Sequence, residues 1–167
     1  VYVPSLYEVR YRTDGRIEAV VPRQEGVPTR VVKRVVRDLE HAPFPNRPLV
    51  PQLGVVHDRI MLEVQRGCTR GCRFCQAGII YRPVREKDPQ VLLAQAAELV
   101  PATGHEEISL VSLSTADYSY VRELIRALLQ RYAPAGINVA LPSLRADAFS
   151  VELAQEVQRV RRATLTF

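Results

Sequence analysis

The chain has 167 residues, 47% of them hydrophobic and 25% charged, with a formal net charge of +5. That is enough length for an ordinary core and too much apolar content for a disordered chain. No apolar run approaches the ~20 residues of a membrane span, and the start, "VYVPSLYEV", lacks the basic-then-apolar order of a secretion signal. The basic excess lies in the first ninety residues and is almost all arginine; Lys33 and Lys87 are the two lysines. A basic balance of this size is only weak support for a nucleic-acid partner.

In chain order, "YEVRYRTDGRIEAVV" (7–21) is two alternating stretches around Asp14-Gly15, which predicts a β-hairpin. "TRVVKRVVRDL" (29–39) fits a strand or a short helix. "APFPNRPLVPQ" (42–52), with four prolines, reads as an extended connector. Residues 1–52 are thus read as a lead-in and 53–167 as the main domain.

"RIMLEVQ" (59–65) alternates Ile60, Leu62 and Val64 and predicts a strand. Asp88-Pro89 opens a helix over "QVLLAQAAELV" that ends before Gly104. "EISLVSLS" (107–114) reads as a strand, and "YVRELIRALLQRY" (120–132) as an amphipathic helix. "INVALPS" (137–143) is a third strand. Ser150 is placed to cap a helix over 151–162, and "ATLTF" (163–167) begins a fourth strand. Strands alternating with helices predict an α/β fold with a parallel sheet. Polar clusters follow each of the first three strands. The carboxyl ends of parallel strands are where such folds do their work. The lack of an initiator methionine and the end inside a strand predict a piece of a longer protein, inactive by itself.

The cluster after the first strand is "GCTRGCRFCQAG" (67–78), which holds every cysteine of the chain: Cys68, Cys72 and Cys75. Three thiols within eight residues do not form a disulfide framework, which takes an even, dispersed set. A structural zinc site needs a fourth ligand, from His57 or His105, and neither has a characteristic spacing. Three thiolates suit a 4Fe-4S cluster with one iron left open. Glycines allow the loop to wrap it and to turn backbone N–H groups towards its sulfides. Arg66, Arg70, Arg73, Arg82 and Arg85 surround the cysteines and favour a cluster of net negative charge, unless they are ordinary solvated arginines. His41, His57 and His105 read as structural or surface residues.

Cys68-x-x-x-Cys72-x-x-Cys75, with Phe74 before the last cysteine, resembles the signature of the radical S-adenosylmethionine (radical SAM) enzymes. The stretches "HDRIMLEVQRGCTRGCRFCQAGIIYRPVRE", "EEISLVSLSTADYS" and "LPSLRADAF" resemble an uncharacterised bacterial branch with a cobalamin-binding-like domain ahead of the barrel. The lead-in "VPSLYEV…DGRIEAVVPR" is similar to the joint of that branch. The resemblance implies a partial six-stranded βα barrel, of which this chain holds the first part. It implies that Cys68, Cys72 and Cys75 ligate a 4Fe-4S cluster, whose open iron binds S-adenosylmethionine. Reductive cleavage would then give a 5′-deoxyadenosyl radical that abstracts hydrogen from a substrate.

Phe74, Ser114, Thr115, Ser143 and Arg145 are the cofactor-binding residues implied. Ser114 and Thr115 stand where the family holds the methionine amino group, though the usual Gly-Gly-Glu type motif is absent. Arg145 suits a carboxylate by its two-pronged geometry, unless Asp147 takes it. Ser112 and Asp117 are equally read as strand-end and helix-cap residues. "YRPVRE" (81–86) resembles methylthiotransferase-like members and favours Arg82 and Arg85. The family implies a cytoplasmic setting, an electron donor such as flavodoxin or ferredoxin, and cobalamin held outside this segment. Substrate and outcome stay open between methyl transfer, methylthiolation and other radical reactions, with RNA as one substrate class. Alternatives are an RNA-modifying methylthiotransferase-like protein and a zinc- or iron–sulfur-binding interaction module without catalysis.

Overall fold

Alternating aliphatic residues build the central sheet. In the computed structural model, which describes residues 1–145, 147, 151–158 and 160, strand β3 (Ile60–Glu63) buries Ile60 and Leu62. It pairs in parallel with β6 (Glu107–Val111), Ile60 opposite Ile108 and Leu62 opposite Leu110. On its other edge β6 pairs in parallel with β7 (Asn138–Ala140), Ile108 opposite Val139. The order is β3-β6-β7. Central strands covered on both faces read as near-continuous apolar runs, which is why β6 and β7 show little alternation.

Each parallel step needs a crossover, and helices supply them. Helix α2 (Pro89–Thr103) starts at Asp88, whose carboxylate accepts from the Gln90 amide at 2.7 Å. It stops at Gly104, which takes the left-handed conformation at φ 69°. Helix α3 (Val121–Tyr132) buries Val121, Leu124, Ile125, Leu128 and Tyr132, the one-face spacing of an amphipathic helix. Fully burying one such leucine is worth about 1.5–3 kcal/mol. Leu92 and Leu99 of α2 join Leu124 and Leu128 of α3 in one core with the strand aliphatics. Helix α4 (Val151–Val157) is tied to α3 by ion pairs from Arg122 and Arg126 to Glu152 and Glu156, at 3.0–3.3 Å. No helix among the described residues is long and apolar enough to cross a membrane.

The chain divides into two compact units, Val1–Val36 and Arg37–Phe167. In the first, β1 (Tyr7–Tyr11) pairs antiparallel with β2 (Ile17–Pro22), with a register shift between Arg10 and Tyr11. The turn between them places Gly15 at φ 79°. Residues 29–39 form neither the strand nor the helix that their valine pairs suggest. Val32 and Val36 are exposed there, while Leu39 at its end is buried, so the segment packs through single residues rather than through a strand or helix face. The proline-rich connector is irregular, as its composition dictates. The cap expected at Ser150 and the strand expected at 163–167 lie outside the described residues.

Candidate functional site

The cysteine loop hangs from a short two-stranded clamp. After Glu63 the chain turns out of the sheet, and β4 (Gln65–Arg66) pairs antiparallel with β5 (Arg85–Glu86). Everything from Gly67 to Val84, including the four-residue helix α1 (Ala77–Ile80), is a loop closed at its base. The Lys87 amide donates to the Val64 carbonyl at 2.9 Å, and the Cys68 amide to the Tyr81 carbonyl at 2.8 Å.

Two glycines make this possible. Gly67 sits at φ 99°, and a Cβ there would stand 2.5 Å from the Pro83 oxygen and 2.7 Å from the Tyr81 oxygen. A Cβ on Gly78 would collide with the Arg70 carbonyl oxygen. Arg82 donates to the Gly78 carbonyl across the loop, and Arg85 to the Pro83 carbonyl at 3.1 Å. Arg66 forms a bidentate pair with Glu63 at 2.6 and 2.7 Å. The guanidinium holds the Glu63 carboxyl below its usual range, against the opposing effect of partial burial.

None of the cysteines is in a disulfide; Cys68 and Cys72 are half-buried and Cys75 is exposed. The Cys75 amide donates to the Cys72 carbonyl at 3.0 Å, and the Ala77 amide points at Cys75 Sγ, 3.4 Å away. Phe74 is 94% exposed and packs on nothing in the core.

The other two strand ends meet this loop. Gln65 is buried, and its amide nitrogen donates to the Ser114 carbonyl at 2.9 Å. Arg70 reaches Asp117 with both prongs, and Asp117 also accepts from the Ser114 hydroxyl at 2.6 Å. The Arg70 guanidinium first, and the Ser114 hydroxyl after it, hold the Asp117 carboxyl below the usual carboxylate range. Thr115 is fully buried; its hydroxyl bonds to the Leu110 and Pro142 carbonyls at 3.3 and 3.0 Å and to the Ser112 hydroxyl at 3.0 Å. Ser143, at φ 59°, offers its carbonyl to the Thr115 amide at 3.2 Å. Arg145 forks onto Asp147 at 3.0 and 2.6 Å and donates from Nη1 to Cys72 Sγ at 2.8 Å.

The sequence-predicted residues therefore fall into four groups. Cys68, Cys72, Cys75, Ser114, Thr115, Ser143 and Arg145 gather at the carboxyl ends of the three parallel strands. Phe74 is on the loop but turned outward. Asp117 is a partner of the cysteine loop rather than a helix cap. His57 and His105 stand at the opposite end of the sheet, before β3 and β6, where His57 meets Arg59 and His105 meets Asp58. Neither can complete a site with the cysteines. A hollow of about 610 Å³ at that far end, lined by Asp58, Arg59, His105 and Glu107, contains no cysteine.

At the carboxyl ends a cavity of about 360 Å³ is lined by Gln65, Cys68, Thr69, Arg70, Val84, Ser114 and Asp117. Sequence reasoning missed Gln65. Its one signal was a polar residue two positions ahead of Gly67, out of phase with the buried alternation at 60, 62 and 64.

The donor set fits an iron–sulfur cluster. Three free thiols on one loop are soft ligands, and the Arg145 N–H on Cys72 Sγ is a contact that thiolate-bound clusters accept. Among the described residues no three His, Cys, Asp or Glu side chains converge on a single metal ion. Thiolates that each bind a different corner of a cube stand further apart than ligands sharing one ion, so a cluster does not require that convergence.

A loop of three free cysteines at the carboxyl end of the first strand of a parallel α/β sheet fits the class of proteins that hold an iron–sulfur cluster. The profile of the radical SAM superfamily matches residues 62–165, and the chain belongs to that superfamily. Membership implies a 4Fe-4S cluster and S-adenosylmethionine. An uncharacterised protein of Methanocaldococcus jannaschii is 35% identical over 100 residues, 60% of this chain and 22% of that protein. Threonylcarbamoyladenosine tRNA methylthiotransferase of Bacillus subtilis is 31% identical over 93 residues, 56% of this chain and 18% of that protein. The chain thus spans about a fifth of the length of these curated relatives.

Proposed function

We propose that this chain is the cluster-holding part of a radical SAM enzyme, with Cys68, Cys72 and Cys75 ligating one 4Fe-4S cluster that has an open iron. The observation that carries the reading is three free thiols on one strand-end loop, with a fixed guanidinium on the middle one. When bound, the cluster supplies the electron that cleaves S-adenosylmethionine to a 5′-deoxyadenosyl radical. The chain's own part is positional. Gly67 and Gly78 let the loop fold tightly, Arg70 and Asp117 fasten it to the second strand end, and Arg145 adds positive charge beside Cys72. The partial βα barrel belongs to the same reading; β3, β6 and β7 would be its first strands, preceded by the lead-in of residues 1–52.

The test uses the intact protein reconstituted anaerobically with iron and sulfide. Four irons per chain, and release of 5′-deoxyadenosine from S-adenosylmethionine on reduction, are the expected results. Cys72→Ala should abolish stable assembly. A full, unchanged cluster in that variant refutes the ligand assignment.

Methylthio transfer to RNA is the specific reaction supported by a relative, since one curated match is named as a tRNA methylthiotransferase. Mass analysis of tRNA from cells lacking the intact protein tests it; an unchanged set of methylthiolated nucleosides counts against it.

A further inference from the structure

The clamp beneath the cysteine loop is small. β4 and β5 share only the pairs Gln65 with Glu86 and Arg66 with Arg85. A two-stranded ladder so short is marginal by itself in water. The base of the loop therefore depends on what else fastens it.

One segment at the second strand end does so. Gln65 Nε2 donates to the Ser114 carbonyl at 2.9 Å, and Arg70 forks onto Asp117. The Tyr118 hydroxyl donates to the Lys87 carbonyl at 2.7 Å, and the Ser119 amide to Glu86 Oε1 at 3.0 Å. Their surroundings rank these contacts. Those of Arg70 and Glu86 are exposed, where water and salt compete for the same groups. Those of Gln65 and Tyr118 are buried, and a buried carbonyl that loses its donor bears the cost of its desolvation. Gln65 lies in β4, and Lys87 directly follows β5, so the two buried bonds hold one strand of the clamp each.

Tyr118 has the firmer base of the two. Its side chain is 1% exposed and packs in the core with Leu62, Leu92 and Leu124. Its ring stands edge-on to Tyr120, with centroids 5.9 Å apart. The core thus fixes where the hydroxyl can be. From there a chain of bonds runs to the cysteines. The Lys87 carbonyl is held by Tyr118, and the Lys87 amide donates to the Val64 carbonyl at 2.9 Å. Gln65 and Arg66 then pair with β5, and the Cys68 amide reaches the Tyr81 carbonyl at 2.8 Å.

We propose that Tyr118 is a positioning residue for Cys68, Cys72 and Cys75. Acting through Lys87, it keeps the clamp shut and so keeps the three thiols where one cluster can bind them. This rests on the function proposed above and adds to it a residue outside the cysteine loop.

The experiment compares Tyr118→Phe, which removes only the hydroxyl, with the unaltered intact protein after anaerobic reconstitution with iron and sulfide. Leu99→Val and Leu99→Ala are the controls. Leu99 is in the same core but towards the other end of the sheet, beside Thr103 and His105. The two bracket the fall in thermal midpoint caused by Tyr118→Phe. Iron loss to excess EDTA is timed, and hydrogen exchange is followed by mass spectrometry in peptides covering 64–68 and 85–88. Tyr118→Phe should lose iron about tenfold faster, the effect of one buried hydrogen bond, and those peptides should exchange faster with or without iron. The Leu99 variants should change neither. An unchanged rate of iron loss in Tyr118→Phe overturns the proposal, as does an equal rise in the Leu99 variants. Faster iron loss with unchanged exchange in the two peptides also overturns it, because the effect would not pass through the clamp. An unaltered protein that takes up no iron overturns the function proposed above instead, and exchange in the iron-free chains then decides whether Tyr118 holds the clamp.

Discussion

Arg145 Nη1 lies 2.8 Å from Cys72 Sγ, although 73 residues separate them. The contact joins the loop after the first parallel strand to the loop after the third. Asp147 holds the other side of the same guanidinium. That carboxylate first, and the Cys72 sulfur after it, push the Arg145 pKa further up, so the side chain is a permanent cation. An arginine expected to grip a cofactor carboxylate is here spent on a carboxylate of its own chain and on a sulfur.

A hydrogen bond to a ligating sulfur stabilises the more negative state of a cluster and raises its potential. Arg145→Ala should therefore shift the reduction potential of the reconstituted cluster to more negative values, by something on the order of tens of millivolts, with iron content preserved. Potentiometric titration followed by electron paramagnetic resonance reads this directly. An unchanged potential would mean that the contact does not survive cluster binding.

Gly67→Ala isolates the loop from the rest of the fold. The substitution adds a Cβ into a φ of 99°, against two carbonyl oxygens. The local cost is at least about 1–2 kcal/mol. The core of β3, β6, β7, α2 and α3 does not depend on that position, so the thermal midpoint should fall little. Iron retention should fall by more than half. If iron retention were unaffected, the tight turn at Gly67 would not be what holds the cysteines in place.

Much of this site is legible in the order of the amino acids. The strands at 60–63 and 107–111 follow from Ile60, Leu62, Ile108 and Leu110, and α3 from the one-face spacing of Val121 to Tyr132. The three polar clusters fall at one end of the sheet because parallel strands all point the same way. Pairing between clusters is not legible in the same way. Arg70 with Asp117 spans 47 positions and Gln65 with Ser114 spans 49. Such contacts depend on how far each strand end projects, and local periodicity carries no trace of it. The segment 29–39 fails for the opposite reason. Its valines have the right propensity, but β-propensity is a statement about fitting a pleated surface, and here Val32 and Val36 are exposed with no strand paired to them.

Lys87 gives the last prediction. It follows the clamp strand β5 and is only 2% exposed, with Nζ 4.6 Å from the centre of the Phe44 ring and 3.5 Å from Gln95 Oε1. No carboxylate among the described residues is bonded to it, and burial lowers its pKa from the usual lysine value, with the Glu63 charge opposing and the Arg66 charge adding to the fall. Its pKa is thus lower in the folded chain than in the unfolded one. Between those two values the unfolded chain binds more protons, so stability rises with pH across that window and the penalty of the buried charge is fully present below it. Lys87→Met keeps the length of the side chain and removes the charge. It should be more stable than the unaltered chain at neutral pH by about 1 kcal/mol, the lower end of what replacing a desolvated charge delivers. The gap between the two should close as pH rises towards 10.5, the ordinary lysine value. Urea denaturation of both proteins from pH 7 to 10.5 measures it, and comparing them cancels the other groups that titrate there. A gap that stays constant over that range would show that Lys87 is as well solvated in the folded chain as in the unfolded one.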